Sequence, residues 1–324
     1  MLQCLKNTIV IGPMLDFENH IKELKDRIEG LKTLPAPLSL KINEEIQKLE
    51  KKYHKSLSDL YKNLSPWDKV QVARLPERPK TRDYIAAMMD TFVPLSGDRL
   101  FGEDHAVVSG MGLFKGIPIM IMGHEKGHDT TSRIHHHFGM ASPEGYRKAQ
   151  RLMVLAERFR LPLVFLVDTP GAAAGTQAEE RGQAQAIAEC IDTSLKINVP
   201  ILSVIIGEGG SGGAIAFATA NFIAMLEHSI YSVISPEGCA SILWRTATKK
   251  QDAAIAQKLT AQHLKSFGVI DEIIPEPTGG AHRHCAETID RVSQCLFSQL
   301  QAMKNQTHFA EKRRKKFLAM GRDV

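Results

Sequence analysis

The sequence lacks long hydrophobic runs, closely spaced cysteines and an evident export signal. No apolar stretch approaches the roughly 20 residues that a membrane-spanning helix requires, so we expect no membrane partner. The first residues do not form a charged region followed by an apolar segment, as a secreted precursor would. The five cysteines are scattered without a C-x-x-C pair, which argues against a zinc ribbon and favours reduced thiols. These absences predict a cytoplasmic protein.

The chain also lacks a strong charge imbalance. The formal net charge is +5 over 324 residues, and part of it lies in the run from Lys312 to Lys316. A solvated helix end explains such a run more simply than a nucleic-acid site does, so nucleic acid is not an expected partner. Because 43% of the residues are apolar, the chain can bury a substantial core, as one large domain with an appendage or as two modest domains.

Two amphipathic helices are predicted between residues 16 and 63. Leu24 and Ile28 lie on one helical face, and a second apolar face recurs from Ile42 to Leu57. The segment 34–37, Leu-Pro-Ala-Pro, separates the two helices. A hairpin of this kind is typical of a packing or oligomerisation arm rather than of a catalytic site.

Strands alternate with helices over most of the remaining chain. Residues 163–167 form a near-continuous apolar run, typical of a strand that is covered on both faces, and the turn 168–171, Asp-Thr-Pro-Gly, follows it. A helix is predicted from about 178 to 195, and a second buried strand from 201 to 206. This alternation predicts an α/β layered fold.

A segment with five glycines, 207–213, follows the second strand and is predicted to form a tight loop before a helix. The spacing Gly207-x-Gly209-x-x-Gly212 matches a dinucleotide fingerprint, and Glu227 stands at about the distance of a ribose-binding carboxylate. An NAD(P)-binding oxidoreductase is therefore one interpretation. Against it, a dinucleotide unit usually starts its domain, whereas this one follows other strands and helices.

The same segment also matches a nucleophile elbow, Gly209-x-Ser211-x-Gly213. A serine hydrolase would need a base and an acid after the serine, and Asp271 and His282 stand in the right order. Neither belongs to a convincing loop motif. The third interpretation requires only backbone N–H groups, which converge at a glycine turn that opens a helix and there stabilise an oxyanion. A tight connection without any site is the fourth.

A sequence of the form H-E-x-x-H runs from His124 to His128. A zinc hydrolase carries this motif on a helix, which places both histidines on one face. Here the motif follows a predicted strand, and Gly123 and Gly127 disfavour a helix by about 1 kcal/mol each. The triplet 135–137 of histidines lacks a carboxylate or cysteine at ligand spacing. No metal site is therefore predicted in this chain.

Several long motifs stand in one order across nearly the whole chain, at 138–140, 143–149, 207–214, 231–244 and 273–283. Together they resemble the carboxyltransferase α subunit family of bacterial-type acetyl-CoA carboxylase. The resemblance implies an α/β, crotonase-like fold, a spiral of ββα units with an N-terminal helical arm. The expected division is an arm over 1–80, a carboxyltransferase domain over 81–305 and a basic helical tail over 306–324.

The family resemblance also implies an activity and partners. An α2β2 assembly with a homologous β subunit, which carries the zinc, would transfer a carboxyl group from carboxybiotin to acetyl-CoA. The biotin is supplied by a biotin carrier protein, biotin carboxylase belongs to the larger complex, and the product is malonyl-CoA for fatty acid synthesis. A catalytically degenerate binding or regulatory subunit is the alternative of a different class.

By the same resemblance, the amides of Gly212 and Gly213 serve the biotin oxyanion as the catalytic groups. Gly209, Gly210, Gly171 and Ala172 are the expected walls of the substrate site. Ser211 is not expected to act as a nucleophile.

Two departures from the family pattern stand out. The chain has Ala173 and Ala174 where the family commonly has Tyr-Pro, and the loop 128–137 is rich in histidine where the family has more Arg and Lys.

Overall fold

The structure, a computed structural model, describes residues 15–33 and 40–322. Among them, α-helices and strands alternate from residue 81 onward, as the sequence predicts. The α-helices are α1 (Asn19–Lys32), α2 (Leu40–Lys62), α3 (Pro66–Ala73), α4 (Thr81–Met88), α5 (Thr130–His135), α6 (Pro143–Phe159), α7 (Thr176–Glu180), α8 (Gln183–Lys196), α9 (Ser211–Ala218), α10 (Pro236–Trp244), α11 (Lys250–Ala256), α12 (Ala261–Ser266), α13 (Cys285–Met303) and α14 (Phe309–Ala319). The strands are β1 (Met89–Pro94), β2 (Val107–Phe114), β3 (Ile117–His124), β4 (Leu163–Thr169), β5 (Ile201–Gly210), β6 (Phe222–Leu226), β7 (Ile230–Ser232) and β8 (Glu272–Ile274).

The strands form a single mixed sheet in the order β1-β2-β3-β4-β5-β6-β8, with β7 paired to the end of β5. The pairs β1–β2 and β2–β3 are antiparallel, and the pairs from β3 to β8 are parallel. Helices cover both faces, so the central strands are buried on both sides. In β4, Leu163 and Phe165 belong to the core on one face, and Val164 and Leu166 to the core on the other.

The prediction that β5 ends at Ile206 and gives way to a loop is wrong. The strand continues through Gly210, and α9 begins at the next residue. The glycines stay extended because they pair with two neighbours: Gly209 is opposite Thr169 of β4, and residues 208–210 pair with β7. No loop therefore separates the strand from the helix.

Two other elements differ from the sequence-based expectation. The helix predicted from 178 to 195 is divided into α7 and α8, because Gly182 has a positive φ of 77° between them. The edge strand β1 was not predicted. Its sequence, Met-Asp-Thr-Phe-Val-Pro, lacks the alternation of apolar and polar residues that indicates a strand, and its burial does not alternate either.

The N-terminal helices pack on each other through Leu24, Ile28, Ile46 and Leu49, as predicted. The break at 34–37 lies outside the described residues. The hairpin is fixed to the rest of the molecule by Glu18, whose carboxylate accepts hydrogen bonds of 2.9 and 3.0 Å from Arg283 and one of 2.6 Å from the hydroxyl of Tyr61. Its expected role in oligomerisation, and the domain boundaries at 80 and 305, stay predictions.

The basic run at the C-terminus is not wholly solvated, contrary to expectation. Arg313 is fully buried and donates to the carbonyl oxygens of Val199 and Ile197, while Lys316 contacts the carboxylate of Asp271. Burial lowers the pKa of Arg313 to about 10. This arginine therefore anchors α14 against the end of α8. In the described part of the chain, no helix combines the length and apolarity needed to cross a bilayer.

Candidate functional site

The candidate site lies where the carboxyl ends of β4 and β5 meet. Ligands bind at this edge of parallel sheets, because connections diverge there and leave a crevice. The turn after β4 and the start of α9 face each other, since Thr169 pairs with Gly209. The turn is shaped by Thr169, whose hydroxyl accepts from the amide of Gly171 at 3.1 Å.

Three predicted glycines are required for this close approach. A Cβ atom on Gly210 would lie 2.2 Å from the carbonyl oxygen of Pro170, and one on Gly213 would lie 2.9 Å from the amide nitrogen of Ala172. A Cβ atom on Gly209 would lie 2.8 Å from the ring of Tyr231. Real Cβ atoms essentially never come this close to a neighbouring atom. A larger residue at any of these three positions would therefore have to displace its neighbours.

Gly212 differs from its neighbours. A Cβ atom there would lie 3.5 Å from a methyl group of Ile187 on α8, which is an ordinary contact. The structure thus brings Gly210 and Gly213 against the turn that holds Gly171 and Ala172, and Gly209 against Tyr231, whereas packing does not demand a glycine at position 212. The predicted catalytic and substrate-binding roles of these residues stay predictions.

The start of α9 presents uncapped amide groups. The first turn of a helix has N–H groups without intrahelical partners, and the helix dipole adds partial positive charge to them. The residue before α9 is Gly210, and no side chain caps this helix. Ser211 turns the chain from strand to helix with a φ of 54°, in the left-handed region that strains a residue other than glycine. The amides of Ser211, Gly212 and Gly213 therefore form the candidate oxyanion site.

Tyr146 of α6 is a neighbour of this site that sequence reasoning missed. Its hydroxyl would lie 2.8 Å from a Cβ atom on Gly213, and its ring makes an edge contact with Phe217 of α9. The side chain is fully buried, and the hydroxyl has no hydrogen-bond partner among the described residues. Burial raises the pKa of this phenol well above its ordinary value, so the hydroxyl stays protonated and can donate.

A buried charged network supports the turn and the strand end from behind. The ammonium group of Lys126, which follows β3, lies 2.7 Å from a carboxylate oxygen of Asp168 and 2.7 Å from one of Glu208. Asp168 also accepts from the amide of Glu208 at 2.9 Å. Burial opposes every one of these charges, yet Lys126 lowers the pKa of Asp168 and Glu208, and the two carboxylates raise the pKa of Lys126. The ends of three parallel strands are thereby fixed together.

Two further cations extend the network. Arg74 donates to Glu208 at 2.7 Å and to Glu237 at 2.6 Å, and the ammonium of Lys80 lies 3.8 Å from Asp168. Sequence reasoning missed these residues as a group. Arg74 follows α3 and Lys80 precedes α4, so no local pattern indicates that their side chains reach this edge of the sheet.

The dinucleotide interpretation is not supported by this geometry. Gly207 and Gly209 are strand residues that pack closely. The carboxylate of Glu227 accepts a hydrogen bond of 3.1 Å from the amide of Glu276, a residue far along the chain from the fingerprint. The hydrolase interpretation fails similarly. Asp271 contacts Lys316, and the ring of His282 lies 6.4 Å from that of Tyr61, so neither engages Ser211.

The H-E-x-x-H motif spans the end of β3 and the turn that follows, not a helix, as predicted. His124 is fully buried and stacks on Phe217 with the ring centroids 4.5 Å apart, and burial lowers its pKa to about 3. His128 instead lies 2.9 Å from the carboxylate of Asp83. The two histidines therefore contact different residues, His124 the ring of Phe217 and His128 the carboxylate of Asp83. Within residues 15–33 and 40–322, no cluster of His, Cys, Asp and Glu has the arrangement of a metal site.

Solved structures share the fold. The beta subunit of P. aeruginosa geranyl-CoA carboxylase superposes with a TM-score of 0.56 at 19% identity, over 77% of this chain and 46% of that one. A chain of a Pseudomonas malonate decarboxylase hetero-tetramer in complex with coenzyme A superposes with a TM-score of 0.59 at 17% identity, over 74% of this chain and 92% of that one. At these identities the likeness concerns the fold alone, and it confirms the predicted crotonase-like α/β class.

Sequence comparisons identify the family. The family model described as acetyl co-enzyme A carboxylase carboxyltransferase-like matches residues 14–321. The chain is 56% identical over 310 residues to the acetyl-coenzyme A carboxylase carboxyl transferase subunit alpha of Paracoccus denitrificans, which covers 95% of this chain and 98% of that protein. The chain therefore belongs to the family of acetyl-CoA carboxylase carboxyl transferase alpha subunits.

Proposed function

We propose that this chain forms the biotin half of a carboxyltransferase site in the cytoplasm. Together with a β subunit, in an α2β2 assembly, it transfers a carboxyl group from carboxybiotin on a biotin carrier protein to acetyl-CoA. The product is malonyl-CoA, the first committed intermediate of fatty acid synthesis. Biotin carboxylase, which regenerates carboxybiotin, completes the larger complex.

The uncapped first turn of α9 carries this proposal. When bound, biotin supplies the carboxyl group and is left with a ureido oxygen that bears negative charge. The amides of Gly212 and Gly213 are suited to donate hydrogen bonds to that oxygen, because they have no intrahelical acceptor and stand at the positive end of the helix dipole. A preorganised donor of this kind contributes about 3–4 kcal/mol to an oxyanion transition state.

The surroundings of these amides support the role. The walls made by Gly210 and by Gly171 with Ala172 hold the amides rigidly, since backbone packs directly on backbone. The ion pairs of Lys126 fix the two strand ends that carry the walls. Ser211 contributes its backbone only, because no base is engaged with its hydroxyl. A donor site for the enolate of acetyl-CoA, and a structural zinc ion, belong to the β subunit in this proposal.

The experiment that tests the proposal is reconstitution with the β partner. The copurified pair is expected to decarboxylate malonyl-CoA when free biotin is supplied, and this chain alone is expected to be inactive. Gly212→Val is the most informative variant, because a Cβ atom at position 212 makes only an ordinary contact of 3.5 Å with a methyl group of Ile187. Loss of turnover with retained partner binding supports the oxyanion role. Full activity in this variant, or inactivity of the wild-type pair, would refute it.

A further inference from the structure

A cavity lies beside the glycine turn, on the side of the charged network. Its volume is about 230 Å³, and Pro170 and Glu208 place it next to the candidate catalytic turn. Four of its nine lining residues are cationic: Arg74, Lys80, Lys126 and Arg133. A concave surface with converging cations has the chemistry of an anion site.

The cations of this cavity are unevenly paired. Arg74 and Lys126 pair closely with Glu208, and Arg74 also pairs with Glu237. Lys80 interacts more weakly with Asp168, at 3.8 Å, and with the carboxylate of Glu125.

Lys80 is the least satisfied of these groups. Its side chain is buried, at 3% exposure for the residue, yet its ammonium makes only a 3.5 Å hydrogen bond to the carbonyl of Leu75 and a 3.8 Å contact with Asp168. An ammonium group has three donors, and a buried charge without strong partners is costly. Lys126 contacts the same carboxylate, so two ammonium groups lie close together and repel. Burial lowers the pKa of Lys80 accordingly.

Arg133 is a partly exposed cation of the cavity lining. Its guanidinium lies 5.3 Å from the ring centroid of Phe138, and no carboxylate among the described residues pairs with it. Stacking on an aromatic ring holds the guanidinium in place without occupying its donors. Its N–H groups therefore stay available to an anion in the cavity.

We propose that this cavity binds a small oxyanion, a carboxylate or phosphate group, between Lys80 and Arg133. The anion supplies the acceptor that Lys80 lacks and offsets the repulsion between the two ammonium groups. It arrives either as a free ion or as a group on a substrate, and the second source rests on the proposed function. The binding itself does not, so the two proposals fail separately.

The test measures anion binding to the full chain by calorimetry, with phosphate and malonate as probes in an otherwise anion-poor buffer. Arg133→Gln is expected to weaken binding roughly tenfold, because it removes a charge-assisted hydrogen bond. The matched control is Arg314→Gln on the exposed side of α14, which should bind as the wild type does. Glu237→Gln should tighten binding, since it frees Arg74 from a competing carboxylate.

The outcomes separate clearly. Absence of binding at millimolar concentrations of both probes, or equal weakening by the two arginine substitutions, overturns the proposal. Preferential binding of malonate assigns the site to a carboxylate, and preferential binding of phosphate assigns it to a phosphate group. Lys80→Met should also abolish binding. Because Arg133 is only partly buried, its substitution keeps the test decisive if the lysine variant does not fold.

Discussion

Two adjoining regions of this molecule hold the same strand end in opposite ways. The glycine junction, residues 207 and 209–213, is nearly free of side chains, and backbone packs on backbone there. The charged network of Lys126, Asp168 and Glu208 lies directly behind it and depends on side-chain charges in a buried setting. The first region should fail when an atom is added, and the second when a charge is removed. The site therefore has two independent sensitivities within one sheet edge.

Removing the central charge should have the largest effect. Lys126→Met leaves the carboxylates of Asp168 and Glu208 buried without their shared partner, and we expect a loss of about 3–5 kcal/mol in the free energy of unfolding, measured by urea titration. Lys315→Met removes an exposed ion pair on α14 and should cause no measurable change. Equal stability of the two variants would show that the network is not needed.

Adding one atom to the junction should have the next largest effect. In Gly210→Ala the new Cβ atom meets the carbonyl oxygen of Pro170 at 2.2 Å, so the backbone must shift, and we expect a loss of about 1–3 kcal/mol in urea titrations. Gly212→Ala is the matched control, because its Cβ atom meets only a methyl group of Ile187 at 3.5 Å. It should keep the wild-type stability. A destabilised Gly212→Ala together with a stable Gly210→Ala would reverse our assignment of the packed positions.

Mild acidification should lower the free energy of unfolding by a smaller amount, through His124. His124 stacks on Phe217 of α9, and burial depresses its pKa to about 3 from an ordinary value of 6.5. Below pH 6.5 the imidazole of His124 therefore binds a proton in the unfolded chain but not in the folded chain, so the free energy of unfolding falls as the pH drops. Between pH 6.5 and 5.5 this residue should lower the free energy of unfolding by about 1 kcal/mol, because the unfolded imidazole is already half protonated at pH 6.5.

The measurement is urea unfolding at several pH values between 7.5 and 5. His124→Phe should reduce the pH slope, because the ring is replaced by one that cannot be protonated. His20→Gln, at an exposed position on α1, should leave the slope as it is. A wild-type slope in His124→Phe would contradict the buried, neutral state of this histidine.

The smallest effect should come from the serine between the glycines. Ser211→Ala keeps a Cβ atom at the positive φ and removes a hydroxyl that forms no hydrogen bond with the residues the structure describes, so turnover with the β partner should change less than about twofold. Ser211→Gly should match or slightly exceed the wild-type stability because it relieves the strain. A collapse of activity in Ser211→Ala would favour a hydrolytic nucleophile instead.

Local patterns predicted the elements that depend on local chemistry. The apolar run of β4 and the start of α10 at its capping residue Ser235 follow from the sequence, and the oxygen of this serine accepts from the amide of Gly238 at 3.1 Å. The extension of β5 could not be predicted, because glycine ordinarily weakens a strand and here only the pairing with β4 and β7 retains it. Pairing between strands that are distant in the sequence leaves no pattern in the residues of either strand.

The candidate site shows the same division. The family resemblance selected the glycines, and the structure places most of them together. The network was missed because Asp168 and Glu208 are 40 residues apart and Lys126 and Glu208 are 82 apart, and the three meet only when three strands are in register. Tyr146 was missed because a tyrosine in an amphipathic helix is indistinguishable from any core residue until its hydroxyl is located.

The contact between Glu18 and Arg283 joins parts of the chain that are 265 residues apart. A ribosome that adds roughly 5–20 residues per second would take about 10–50 s to make the second partner after the first. During that time the N-terminal hairpin has its own apolar contacts but no docking site. The hairpin is thus synthesised well before the residue that docks it, which makes it a natural target for a chaperone during synthesis.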